Sequence, residues 1–450
     1  MYQFDFDKET FQARRAKVFS AIDHPPNGRA AVALIQGAPK NPTHDLFYQT
    51  NDFYYLCGVE SPHAYLLLDG ASQTTTLYLP HQSAQQVDSE GEILSADNAD
   101  LCRELTGVDR VLGIELLARA LERVRTIYTP MRQGETRTTS QDTLWRAQQE
   151  VHSDPWDGRP DRMRHFLATL RQRCPAAELV DLAPVLDELR LIKDAAEIAL
   201  LRKAGKLTAL GVIEAMRSTR PGVMEYQLDA VMRYHYLANG ARDAGYHAII
   251  AGGANAWYGH YGANNCPLQD GDLVLVDCAP DYHYYTSDIG RMWPVNGRYS
   301  PLQRELYGFI VEYHKVLQRT IRPGATDAQI QQEAAAEMKA VIDRTTWSKE
   351  IYEAAARRAL EFPYHMSHPV GMAVHDVGHY RGKPIAPGTV LALDPMMWIS
   401  EEKRYIRVED TVVVTETGIE NLTADAPLEL DDVETWMQQP GLLDRFPATL

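Results

Sequence analysis

Residues 272–294 read DLVLVDCAPDYHYYTSDIGRMWP: two apolar runs around a polar stretch, each run carrying one carboxylate, Asp277 and Asp288. β-branched and aromatic residues on both sides of PDYH mark a hairpin. The pattern returns downstream. Residues 389–399 read TVLALDPMMWI and 405–414 read YIRVEDTVVV, flanking SEEKR and carrying Asp394 and Glu409. Asp and Glu are almost never fully buried without a partner, and an unpaired buried carboxylate is costly. The neighbouring sequence offers too few Lys or Arg to neutralise four of them, so a bound metal is the economical expectation.

Strand register sharpens this. Pairing symmetric about Tyr282 and His283 sets Asp277 opposite Asp288; pairing about Glu401 and Glu402 sets Asp394 opposite Glu409. Like charges directly opposite are destabilising. Two carboxylates ~5 Å apart repel by roughly 3 kcal/mol at an effective dielectric near 20. Two such hairpins describe a divalent-metal cradle with an internal pseudo-repeat. Histidine completes the set: YHMSHPVGMAVHDVGHY holds His365, His368, His375 and His379, and His260 lies upstream in AWYGHYGANN. His368 falls between the hairpins in sequence and can reach a site built from both. Carboxylates plus one imidazole favour Mn(II), with Co(II), Fe(II) or Zn(II) as alternatives, over a thiolate zinc site. Four carboxylates exceed the needs of one catalytic ion and suit two ions sharing bridging ligands.

These residues resemble the pita-bread metallopeptidases, which include methionine aminopeptidase, prolidase and aminopeptidase P. Their ligand order is Asp, Asp, His, Glu, Glu, with the first two eleven residues apart, as Asp277 and Asp288 are. Arg291, HPVGMAVHDVG and IRVEDTVVVTETGIENLT resemble further family motifs, and DLFYQTNDFYYLCGVESPHAYLLL (45–68) is similar to the first domain of aminopeptidase P. The resemblance implies an α+β chain: a C-terminal pita-bread catalytic domain, antiparallel sheet with flanking helices, after a smaller α/β N-terminal domain. It implies an exopeptidase that releases the residue preceding proline at the second position, using a hydroxide activated by two metals. Asp277 would hold one ion, Asp288 and Glu409 bridge, and His368 with Asp394 hold the other. His260 and His375 would contact substrate and stabilise the tetrahedral intermediate, and Arg407 would orient site carboxylates. The alternatives are a prolidase, which takes dipeptides only, and a metal-poor, creatinase-like member of the fold. Assembly as a homodimer or homotetramer through the first domains is a further expectation from the resemblance.

One position departs from the family. Where relatives have Glu in a Glu-Pro-Gly-Leu-Tyr context, this chain has Asp394-Pro395-Met396-Met397-Trp398. Asp is one methylene shorter, so its oxygens fall about 1.5 Å short on an unchanged backbone. The family Glu also passes a proton to the leaving nitrogen, so Asp394 is expected both to ligate and to weaken one ion.

Composition agrees. A chain of 450 residues suggests more than one core, expected as 1–175, a linker over 176–190 and a catalytic domain over 191–450. A net charge of −16 and no Lys/Arg run argue against a nucleic-acid partner. Five dispersed cysteines without a CxxC read as reduced thiols in a cytoplasmic protein. No leader-like or membrane-spanning run occurs. Helical spacing over 189–218 opens the second domain, with another helix over 225–238 and a strand in GYHAIIAGG.

Overall fold

The computed structural model describes residues 3–22, 31–42 and 45–447. It divides into two compact units, Met1–Arg190 and Leu191–Leu450. The first is built on a six-stranded mixed sheet of β1 (Ala31–Gln36), β2 (Tyr65–Asp69), β3 (Thr74–Leu79), β4 (Arg110–Gly113), β5 (Thr126–Thr129) and β6 (Glu178–Asp181). Its order is β4-β3-β2-β1-β5-β6. β1–β2 and β2–β3 are antiparallel, whereas β3–β4, β1–β5 and β5–β6 are parallel. Residues 176–190, expected as a linker, supply the edge strand β6 and most of the helix Ala183–Leu191. Leu179 and Ala177 pack on the sheet's apolar cluster, which explains why this segment is folded into the unit.

The second unit carries short antiparallel sheets and long helices. β7 (Asp243–Ala244) pairs β10 (Pro280–Asp281), and β8 (Ile249–Gly252), β9 (Leu273–Asp277) and β11 (Gly290–Pro294) form a sheet in the order β11-β9-β8. β12 (Met366–Pro369), β13 (Val390–Leu393), β16 (Asp410–Val414) and β17 (Ile419–Asn421) form another, while β14 (Met396–Ile399) pairs β15 (Arg404–Arg407). The expected long helix over 189–218 is broken at residues 192–194: Ile192 bridges to Thr389, and Asp194 caps the helix Ala195–Ser218 in a reciprocal pair with Glu197. The helix Glu225–Ala238 follows as expected.

The two hairpins differ in how they meet the expected register. In the second, Met396 faces Arg407 and Leu393 faces Asp410. The same register sets Asp394 opposite Glu409 at the break between β13/β16 and β14/β15, as the turn at 401–402 predicts. The first hairpin is displaced by two residues, for Asp277 faces Gly290 rather than Asp288. Its turn is centred one residue later, on His283 and Tyr284, which take φ 51° and 75° between the bridged Tyr282 and Tyr285. Such a two-residue turn needs positive φ at both central positions, and Asp281 Oδ1 accepts from Tyr284 N at 3.0 Å to hold it. Gly290 also pairs with Glu409, and a Cβ there would lie 3.1 Å from that of Glu409. Only a residue without a side chain lets the two hairpins approach so closely.

Candidate metal centre

Each expected ligand sits at a strand end or a ladder break: Asp277 closes β9, Asp288 precedes β11, His368 lies in β12, Asp394 follows β13, and Glu409 separates β15 from β16. The four carboxylates are 0–4% exposed. Asp288, His368 and Glu409 present ligand atoms all within 4.8 Å of one another, and His368 Nε2 lies 3.5 Å from Asp288 Oδ2. Asp277 and Asp394 adjoin this trio through a shared cation.

That cation is Arg407. Its Nη1 lies 2.6 Å from Asp277 Oδ2, its Nε 2.7 Å from Asp394 Oδ1, and its Nη2 contacts Glu409 Oε2. The sequence therefore does supply positive charge, but one guanidinium against four buried carboxylates leaves a large deficit. The acids record it. Burial, reinforced by Asp277 and opposed by Arg407, pushes Asp288 up to about 8. Burial also raises Asp394 and Glu409 against the pull of Arg407. Glu409 Oε1 has no hydrogen-bond partner among the described residues. A crowded oxygen-rich set with an orphaned buried oxygen and one imidazole fits divalent cations.

Other residues hold these groups in place. Tyr246 lies 2.7 Å from both Asp277 Oδ1 and Asp288 Oδ1. Thr411 Oγ1 accepts from Asp288 N at 2.6 Å. Arg291 is buried and donates to Asp410 Oδ1 (2.8 Å) and to the Glu409 carbonyl (2.6 Å). Burial alone would raise Asp410, but Arg291 and His314 outweigh it and hold Asp410 well below the usual carboxylate range.

The histidines separate by role. The ring of His375 lies tilted against that of His368 with centroids 4.2 Å apart, and that of His260, on an exposed loop, lies 6.3 Å from that of His375. His375 is close enough to the carboxylates to help lower Asp288 against its burial. His365 is fully buried instead, with Nε2 2.6 Å from the Ala359 carbonyl and Nδ1 accepting from Met396 N; His379 is exposed. Trp398 packs on Phe362 and Tyr405. Tyr246, Thr411 and the buried pair Lys193–Asp376, 3.0 Å apart beneath Gly371, were not singled out by sequence reasoning. Tyr246 belongs to no charge or repeat pattern, whereas Asp376, next to His375, was the one signal available.

Comparison with known proteins agrees with this architecture. Residues 199–416 match the model of metallopeptidase family M24, and residues 11–130 match the aminopeptidase P N-terminal domain. The chain is 31% identical to the Xaa-Pro aminopeptidase of Escherichia coli (strain K12), covering 96% of this chain and 98% of that protein. It is 29% identical to Xaa-Pro aminopeptidase 3 of Homo sapiens, covering 94% and 85%. Among solved structures it matches aminopeptidase P from E. coli with the inhibitor Pro-Leu at a TM-score of 0.77 and 30% identity, over 96% of this chain and 98% of that one. A zinc-substituted form of the E. coli enzyme in complex with product aligns at a TM-score of 0.76.

Proposed function

Because the chain belongs to the aminopeptidase P family of M24 metallopeptidases and is a metal-dependent exopeptidase of Xaa-Pro peptides, we propose that Asp277, Asp288, His368, Asp394 and Glu409 hold two divalent ions, with Mn(II) the favoured metal. The observation that carries this is the convergence of Asp288, His368 and Glu409 within 4.8 Å inside a cluster of four buried carboxylates. By the family resemblance, Asp288 and Glu409 would be the ligands shared between the two ions. When bound, such ions polarise the scissile carbonyl and lower the pKa of water enough to furnish a nucleophile near neutral pH.

The chain's own residues do the rest. Arg407 fixes the orientation of Asp277, Asp394 and Glu409. The free α-amino group of the substrate would bind beside the metal site against one of its acidic ligands, which accounts for cleavage at the chain end. His375, whose ring lies 4.2 Å from that of His368, and His260, 6.3 Å from His375, donate hydrogen bonds to the oxygen on which charge develops. An Xaa-Pro amide has no N–H, so the departing nitrogen needs a proton. Asp394 Oδ1 is occupied by Arg407 Nε, so Oδ2 would take a proton from the attacking water and pass it to that nitrogen. No helix among the described residues is long and apolar enough to cross a membrane. Cytoplasmic residence and a homodimer or homotetramer complete the proposal.

The test is turnover of Gly-Pro-Gly and Gly-Pro by Mn(II)-loaded protein. Release of glycine from the tripeptide supports the proposal. Cleavage of the dipeptide alone would indicate prolidase specificity, and no cleavage of either would overturn it.

A further inference from the structure

His260 stands on the connection between β8 and β9, a loop whose regular structure is limited to one short turn, Gly253–Trp257. An exposed loop of this kind does not hold a side chain in place unaided. Asn264 ties its far side to Ile250 N and the Ala248 carbonyl, and His247 Nε2 lies 2.8 Å from the Gly262 carbonyl, but one buried carboxylate gathers the donors on either side of His260. Glu225, the first residue of the helix Glu225–Ala238, is fully buried and accepts four hydrogen bonds, all from this loop or its root. Oε1 accepts from Gly252 N and Asn255 Nδ2, both at 2.9 Å. Oε2 accepts from the Tyr261 hydroxyl at 2.9 Å and from Cys266 N at 3.0 Å. The donors bracket His260, with Asn255 before it and Tyr261 immediately after. The Glu225 backbone N–H returns a bond to the Cys266 carbonyl at 3.0 Å, so both ends of the loop are tied to one helix start.

We infer that Glu225 is a positioning residue of the peptidase, acting through His260 by clamping the 252–266 loop. The inference rests on the role assigned to His260 above. Catalytic donors must sit within about 0.5 Å of their productive positions, and small displacements of a catalytic group are costly in rate. Glutamine is nearly isosteric but offers one acceptor oxygen. Whichever way its amide turns, two loop donors lose an acceptor and meet an N–H instead. Residues 258–260 of the loop are exposed, so Glu225→Gln is expected to loosen this stretch while Ala256 and Leu268 stay packed in the core.

The experiment compares wild type, Glu225→Gln, His260→Ala and the double variant in kcat/KM on Gly-Pro-Gly, in Mn(II) affinity by calorimetry, and in hydrogen–deuterium exchange over 254–262. His260→Ala is expected to lower kcat/KM about 100-fold, and Glu225→Gln about tenfold, as loss of precise placement does. The double variant should match His260→Ala within about twofold, because a residue acting through another has nothing left to act on. Mn(II) affinity should stay within about twofold of wild type, and exchange over 254–262 should accelerate in Glu225→Gln alone or combined. Equal losses from Glu225→Gln in both backgrounds, unchanged kcat/KM in either single variant, or unchanged exchange would overturn the inference. If the wild type does not cleave Gly-Pro-Gly, the functional reading fails on its own. The exchange measurement still shows separately whether Glu225 clamps the loop.

Discussion

Replacing Arg407 by methionine tests whether this guanidinium and the metal ions share one task, neutralising the carboxylate cluster. Arg407 contacts Asp277 and Asp394 at 2.6 and 2.7 Å and also touches Glu409. Its charge is held well above the ordinary arginine range by those three acids, against the opposing effect of burial. Removing one partner of a buried ion pair costs about 3–5 kcal/mol. At about 2–4 °C per kcal/mol for a domain of this size, the metal-free Arg407→Met protein should melt roughly 6–20 °C below wild type. With saturating Mn(II), the ions meet most of the same deficit, and the gap should shrink to a few degrees. The metal-induced rise in Tm is therefore larger in the variant than in wild type, as linkage requires when a ligand binds only the folded state. Arg407→Lys, which keeps the charge but not the three-way geometry, should fall between. Calorimetric melts in EDTA and in Mn(II) provide the four temperatures needed. An equal drop with and without Mn(II) would refute the reasoning and reduce Arg407 to a packing residue.

Asp394→Glu restores the family's longer side chain. It should tighten the weaker ion about tenfold or more in Mn(II) titrations and raise turnover, and unchanged binding and rate would make the departure neutral drift. His365 is buried, and its pKa is lowered to about 4 chiefly by desolvation. Below its unfolded value near 6.5 the unfolded chain takes up the proton first. Stability is thus intact above that pH and is lost as pH falls toward 4, by about 2–3 kcal/mol at pH 4.5. Denaturant midpoints of metal-free wild type and His365→Gln at pH 7.5 and 4.5 should differ by that slope. In the first unit, Arg190 is 1% exposed and pairs with Asp52 at 2.7 Å and Glu135 at 3.2 Å. Arg190→Met should destabilise that unit by about 3–5 kcal/mol, seen as an earlier transition in calorimetry, and a shift below about 1 kcal/mol would count against the pair's importance.

The second hairpin was legible because SEEKR is an unambiguous polar break, and its register put Asp394 and Glu409 in place. The first was misjudged by one residue at the turn. PDYHYY lacks the Asn-Gly that marks a two-residue turn, and nothing in the sequence shows that His283 and Tyr284 adopt positive φ. The four buried acids were readable because misplaced carboxylates in apolar runs are a local signal, whereas their order and roles as ligands came from the family resemblance. The counter-charge was readable only through the family resemblance, which named Arg407 as orienting the site carboxylates, and not from the local sequence. Arg407 reaches Asp277 across 130 positions, a contact that only tertiary structure creates. Tyr246 and Glu225 were invisible for the same reason, since a polar residue outside a periodic pattern does not reveal what it will face. The segment 176–190 looked like a connection because its punctuation was read as loop, whereas its apolar residues complete the first unit's core.

Metal content is the most direct test of the central claim. Purified protein dialysed against Mn(II) should retain about two ions per chain, as the four-carboxylate, one-imidazole set implies. Asp288→Ala, which removes an assigned bridge, should retain fewer than one. Wild-type protein that binds no divalent ion, or Asp288→Ala that binds as many as wild type, would contradict the account.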